Sequence, residues 1–366
     1  MKASCLRTAA NVIGLVAGLV LTASAQAGIA DFLGGSAVPV ISAGAPPDSP
    51  TSRVDPNTAT SPFSGVVSIN IRYANGDSFI CSGTLVSSRD VVSAGHCIDS
   101  DGNGKVIDIS KPGNDVRVVF NASNVVGSPG RAIVTADKVT MNPNYQGFGK
   151  CPYATTTDFC LNDDISVIHL NQDAPADAKI YGVYTGDVAE GQVTTLVGYG
   201  TSGDGINGYT VGPDFRIKRS GQNAMDLFDR DDELHFAGGP QEVWYADFDG
   251  AGKDTFCTLF NVCTQILANG KETTIGGGDS GGASFLYVDG QYYLMGNNTF
   301  GGTLQGQVPG TFGTYFGGML MGAYADFLEL ATEGRVVTVV PEPETYALML
   351  IGLVAVGAIA RRRKVA

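Results

Sequence analysis

In this 366-residue chain the stretch best suited to covalent chemistry is Gly276-Gly277-Gly278-Asp279-Ser280-Gly281-Gly282. A serine flanked by glycines has no bulky neighbour, so its hydroxyl can stand free on a tight turn. Glycine also tolerates the dihedrals that let successive backbone N–H groups converge on one point. Converging N–H groups beside a nucleophile could hold the negative charge that develops on a carbonyl under attack. A flexible glycine-rich loop would look much the same. The weight of the motif therefore depends on a base and an orienting acid elsewhere in the chain.

A serine hydroxyl becomes a useful nucleophile only when a neutral imidazole takes its proton. His96 is the histidine of interest, lying between a short apolar run and Cys97 in Val91-Val92-Ser93-Ala94-Gly95-His96-Cys97. Its neighbours are small and leave room for a substrate. An acid that can hold the imidazole is also needed. Asn162-Asp163-Asp164-Ile165-Ser166-Val167-Ile168-His169-Leu170 offers two, Asp163 and Asp164.

The strings Cys81-Ser-Gly-Thr-Leu-Val86 and Ser93-Ala94-Gly95-His96-Cys97, taken with Gly-Asp-Ser280-Gly-Gly, resemble the chymotrypsin/trypsin-fold serine proteases. The resemblance spans roughly residues 54–332 and is carried by three short motifs. It implies an all-β fold of two antiparallel six-stranded barrels, about 54–180 and 181–332, with a short C-terminal helix near Tyr324 to Ala331. It implies a His96–Asp164–Ser280 triad, Asp164 matching the Asp-Ile-Ser pattern and Asp163 remaining a solvated neighbour. Gly278 and Ser280 would form the oxyanion hole, and a Cys81–Cys97 disulfide would brace the histidine. Thr274, Thr299, Phe300 and Gly301 fall at substrate-pocket positions. Thr274 stands where an acid would select Arg or Lys, so a neutral P1 residue is expected. Gly276 replaces a usual disulfide cysteine. Asp279 matches the acid that receives a newly released N-terminal amine; Arg53-Val54 could be the processing site, although Asp55-Pro56 replaces the usual Gly-Gly.

The elements that must position these groups read as β structure. Fifty glycines, with Val, Thr, Tyr and Phe in short runs, point to many strands and turns. Val66–Tyr73 alternates, Asn75-Gly76 is a hairpin signal, and Phe79–Val86 returns. Val193–Gly200 and the Phe285–Val288/Tyr292–Met295 pair read as further strands, whereas residues 201–256 read as loop-rich and acidic.

The two ends read as targeting segments. Lys2 and Arg7 precede an apolar run from about Ala9 to Leu21 and an Ala25-Gln26-Ala27 exit, the pattern of a secretory signal over 1–27. Residues 28–53, rich in Pro, Ala, Ser and Thr, read as a linker or pro-segment, and 333–340 as a second linker. Pro341-Glu342-Pro343, an apolar run from Tyr346 to Ala360 and Arg361-Arg362-Arg363-Lys364 resemble the PEP-CTERM sorting signal of Gram-negative bacteria over 341–366. That resemblance implies export to the periplasm, surface or matrix, handling by exosortase-type machinery, and transient membrane association. As a helix the apolar run spans only about 22 Å of a bilayer core of about 30 Å.

Net charge is −13; without the ends, 17 cations face 34 acids, which argues against a nucleic-acid partner. Seven cysteines become six once Cys5 leaves with the signal. Cys151/Cys160 and Cys257/Cys263 could each close a small loop, leaving Cys81 with Cys97, although six cysteines permit 15 pairings. No cofactor is required and no metal residue is assigned. The spacing Asp99-x-Asp101-x-Asn103-Gly104, running to 110, could take calcium, and Asp247-Phe-Asp249-Gly is a weaker version. Two rival readings share the motifs: a non-catalytic surface or matrix-binding protein, and an esterase.

Overall fold

The computed structural model describes residues 29, 33, 41–99, 102–121, 131–153, 159–304 and 306–340. The signal and the sorting helix expected at the ends lie outside these. Among the described residues no helix is long and apolar enough to cross a membrane.

Six strands close the first barrel: β1 (Val66–Arg72), β2 (Ser78–Leu85), β3 (Asp90–Ser93), β4 (Asp115–Phe120), β5 (Ala132–Met141) and β6 (Ser166–Leu170), in the order β1-β2-β3-β6-β5-β4. The Asn75-Gly76 hairpin sets Arg72 opposite Ser78, so Val67, Ile69 and Ile71 all point into the barrel core. Between β3 and β4 runs a single helical turn, α1 (Gly95–Ile98), which carries His96.

The second half contains β7 (Val183–Tyr184), β8 (Val193–Gly198), β9 (Ser202–Asp204), β10 (Gly208–Val211), β11 (Arg219–Ala224), β12 (Leu227–Arg230) and β13 (Gln241–Asp247), then helix α2 (Thr255–Phe260). It continues through β14 (Ala283–Val288), β15 (Gln291–Asn297), β16 (Phe300–Gly302), β17 (Tyr315–Met319), helix α3 (Ala325–Ala331) and β18 (Thr338–Val339). These strands do not form the closed six-stranded barrel expected. They make a six-stranded sheet, β11-β8-β14-β15-β7-β18, and a four-stranded sheet, β12-β13-β17-β16, with β9 and β10 as a separate pair. A bridge from Gly296 to Leu320 joins the two larger sheets, and Trp244, Met295 and Phe316 lie buried between them.

Three stretches carry more order than their sequences suggest. Residues 201–256 are loop-rich, yet they hold the five short strands β9 to β13. The described part of 28–53 packs on the body, with Ile41 and Ala43 buried and Ser42 N–H donating to the Thr274 carbonyl at 3.2 Å. Arg53 is buried as well, its guanidinium donating to Asp48 and to the carbonyls of Asn269, Lys271 and Glu272. A Pro- and Ser-rich stretch can pack this way without alternation, since isolated backbone bonds such as Ala43 N–H to Gly203 O at 2.9 Å and buried side-chain donors satisfy its polar groups. Within 333–340, Thr338 and Val339 add a parallel strand to β7.

Candidate active site

β3 ends at Ser93, and the chain turns through Ala94 into α1, which places His96 at the first helical turn. Asp164, one residue before the barrel closes through Ile165 and β6, grips that turn twice. Its Oδ1 accepts the His96 backbone N–H at 2.7 Å and its Oδ2 meets His96 Nδ1 at 2.6 Å. Asp164 is almost fully buried, whereas the His96 side chain keeps 24% of its surface exposed. One face of the imidazole is thus fixed and the other left open, with Phe148 standing edge-on at 5.4 Å between ring centres. Burial resists charging the ring, but the charge and hydrogen bond of Asp164 outweigh it and raise the His96 pKa above its ordinary value.

Ser280 sits on a turn built by its own backbone: Asp279 N–H donates to Gly276 O at 2.7 Å, and Gly282 N–H to Asp279 O at 2.8 Å. Gly281 has φ +77°, and a side chain there would strike Ser93 Oγ at 2.1 Å, so only glycine lets this turn approach β3. Among the described residues, no protein acceptor takes the N–H of Gly278 or of Ser280. Two unclaimed donors beside a serine hydroxyl can receive an anionic oxygen.

What brings the turn to the histidine is Ser82 on β2. Its N–H donates to Ser280 O at 2.8 Å, its Oγ donates to Gly278 O at 2.8 Å, and that Oγ accepts Tyr199 N–H at 2.9 Å. The neighbouring Cys81–Cys97 disulfide is formed, and Cys97 Sγ lies 3.6 Å from the Ser280 carbonyl oxygen. The residues flanking His96 and Ser280 are therefore in contact. Asn297 adds a second tie, donating to the carbonyls of Ser93 and Asp164, each at 3.2 Å. Neither Ser82 nor Asn297 stood out in the sequence, because a polar residue within a strand gives no pattern of its own.

Asp279 is fully buried beneath the turn. Burial pushes its pKa up to about 7, opposed by the N–H groups of Gly200 and Ile41 and by the charge of Arg219. Gly200 donates to Oδ1 at 2.8 Å and Ile41 N–H makes a short bond to Oδ2. The residue that reaches Asp279 is thus Ile41 and not Val54, which instead bridges to Arg219. Asp163 is likewise not solvated. It is 3% exposed and has φ +66°, its Oδ1 accepts Asn142 Nδ2 at 2.9 Å, and its backbone N–H donates to the Tyr324 hydroxyl at 2.9 Å.

Thr274, Thr299 and Phe300 are 2%, 1% and 1% exposed, and Gly301 is buried too. The Phe300 ring lies 5.1 Å from that of Tyr245, inside the core. In the 99–110 loop the Asp99 carboxylate accepts Asn103 and Gly104 N–H, and Asp108 accepts Ser110; Asp101 lies outside the described residues. The remaining disulfides are Cys151–Cys160 and Cys257–Cys263.

A closed six-stranded barrel, a buried Asp–His pair and a glycine-framed serine turn meeting at the seam define a chymotrypsin-like arrangement. Comparison agrees: residues 52–212 match the Trypsin family model, and residues 339–364 match the PEP-CTERM protein-sorting motif. Chymotrypsin-like elastase family member 1 of Bos taurus is 24% identical over 258 residues, 68% of this chain and 79% of that protein. The chain is thus similar to trypsin-type domains over residues 52–212 and to the PEP-CTERM sorting motif over residues 339–364.

Proposed function

We propose that the protein is an exported serine endopeptidase. His96 takes the proton of the Ser280 hydroxyl as its oxygen bonds to the scissile carbonyl carbon. The resulting oxyanion is received by the N–H groups of Gly278 and Ser280. Collapse breaks the C–N bond, His96 returns the proton to the leaving amine, and an acyl-enzyme remains. Water then repeats the sequence and frees Ser280. Asp164 holds the imidazole with Nε2 free to accept and stabilises the imidazolium. The single observation behind this reading is the double grip of Asp164 on His96 at 2.6 and 2.7 Å, set against a serine turn with two unclaimed N–H groups.

The test is labelling by a fluorophosphonate, expected on Ser280 and absent in Ser280→Ala. A protein that hydrolyses peptides normally with that substitution would refute the triad, and one that is never labelled would be a binding protein. Peptide and ester substrates tried side by side address the esterase alternative. Thr274, standing where an acid would select Arg or Lys, favours a neutral P1 residue, which a P1-varied peptide panel reads directly. Maturation follows from Ile41. Cleavage before it would create an α-amine already beside the Asp279 carboxylate, so N-terminal sequencing of active enzyme should begin at Ile41. The sorting motif fits export in a Gram-negative bacterium and handling by exosortase-type machinery.

A further inference from the structure

A second charged cluster, outside the seam that holds Ser280, is built where β13 runs into α2. Asp247 ends the strand, Asp249 follows two residues on, and Asp254 caps the helix by accepting Cys257 N–H at 2.8 Å. Carboxylate oxygens from these three lie within 4.8 Å of one another. Opposite ligands of one calcium ion are separated by about 4.6–5.2 Å, so a single ion can touch all three.

The decisive feature is what these oxygens lack. Asp247 is 1% exposed and Asp249 5%, and the Oδ1 atom of each has no hydrogen-bond partner. Asp247 is held by its other oxygen, which accepts the N–H groups of Thr255 and Phe256, leaving Oδ1 for the cluster. Glu272, on a different segment, lies near enough for its charge to act on Asp249 and Asp247. It is 1% exposed, its Oε2 accepts Leu267 N–H at 3.0 Å, and its Oε1 is unpartnered. Asp226, 3% exposed, accepts Asp247 N–H at 3.2 Å and adds a fifth carboxylate.

Among the described residues no ion pair reaches any of these five acids. The neighbouring cations are occupied elsewhere: Lys253 donates to the Phe312 carbonyl at 3.1 Å and Arg53 pairs with Asp48. Buried carboxylates without a counter-charge are costly, and unpaired oxygens add to that cost.

We propose that Asp247, Asp249, Asp254 and Glu272 form a structural site for a hard divalent cation, calcium, with Asp226 as a supporting charge. The donors are all oxygen and mostly anionic, which suits calcium and disfavours softer metals. Magnesium needs near-ideal octahedral geometry and keeps several waters; a pocket this closed to solvent offers little room for them. The ion would pin the β13–α2 turn to the segment that leads through Thr273 and Thr274 toward the Ser280 turn. Two other acidic groups, Asp163 with Asp232 and Glu233, and Asp231 with Glu233 and Glu242, are weaker candidates, because both depend on the exposed Glu233 and Asp163 already accepts from Asn142.

The test is thermal unfolding of the purified full chain in chelator, in millimolar magnesium and in millimolar calcium. Calcium in large excess should raise Tm by on the order of 5 °C, with a much smaller effect of magnesium. The calcium shift should vanish in Asp249→Asn and in Glu272→Gln and survive in Asp232→Asn. In chelator, Asp249→Asn should melt above the parent, because it removes an unneutralised charge. No calcium shift, an equal magnesium shift, a shift that survives Asp249→Asn, or one lost in Asp232→Asn each overturns the site. Should the cluster variants fail to fold, terbium luminescence on the parent decides. Emission excited through nearby Trp244 and Tyr315 and displaced by calcium supports the site; absence of such a signal overturns it.

Discussion

The molecule contains two histidine–aspartate pairs that look alike on paper. His96 Nδ1 meets Asp164 at 2.6 Å, and His169 Nδ1 meets Asp90 at 2.8 Å; both acids are buried. The surroundings separate them. Asp90 also accepts Arg335 Nε at 2.8 Å, Arg335 Nη2 at 3.1 Å and the Ser87 hydroxyl. Burial opposes its charge, yet the hydrogen bonds from Arg335, His169 and Ser87 hold its pKa below the ordinary carboxylate value. The charge of Asp90 is therefore largely neutralised by a guanidinium. Among the described residues Asp164 has no such cation and accepts from the backbone and ring of His96 alone, so its charge remains to stabilise an imidazolium. A buried Asp–His pair is poised for proton transfer when the acid has no other cation, and is a structural rivet when it does.

Breaking each pair in turn should expose the difference. Ser280→Ala should lower kcat by about 10⁶, the scale seen when a triad nucleophile is removed. Asp164→Asn should cost about 10⁴ in kcat. Asp90→Asn should leave kcat/KM essentially unchanged and instead lower Tm, as read by calorimetry; a large activity loss there would erase the distinction. That Tm gap has a definite pH dependence. A lowered carboxylate pKa contributes stability that is present above the unfolded value and lost as pH falls through the folded one. The gap between parent and Asp90→Asn should therefore be full at neutral pH and close in acid. The smallest effect is on the activity profile. Because Asp164 raises the His96 pKa above 6.5, kcat/KM should rise with pH with a midpoint above 6.5. Asp164→Asn should move that midpoint down and His169→Gln should not.

Much of the site was legible because its chemistry is local. The glycines around Ser280, the small residues before His96 and the Asp-Ile-Ser run after Asp163 each mark a tight approach that few other residues permit. The first barrel was legible through alternation in β1 and β2. The second half was not, since β11 reads Arg-Ser-Gly-Gln-Asn-Ala and buries polar groups by pairing them. Asn223, for example, donates to the carbonyls of Asp247 and Thr273, each at 2.8 Å. The docking of Ile41 was hidden because its partner lies 238 positions away. Arg53-Val54 looked like a cleavage site because sequence alone does not show that the guanidinium is buried. The four pocket positions were assigned by matching, and all four are buried.

The short strand at the end of the described chain bears on the sorting motif that follows it. β18 ends at Val339, the residue at which that motif begins, and both of its residues are paired to β7. Any machinery engaging the chain at Val339 would have to unzip that last parallel pairing or arrive before the edge had closed, so sorting and folding would compete for the same few peptide units.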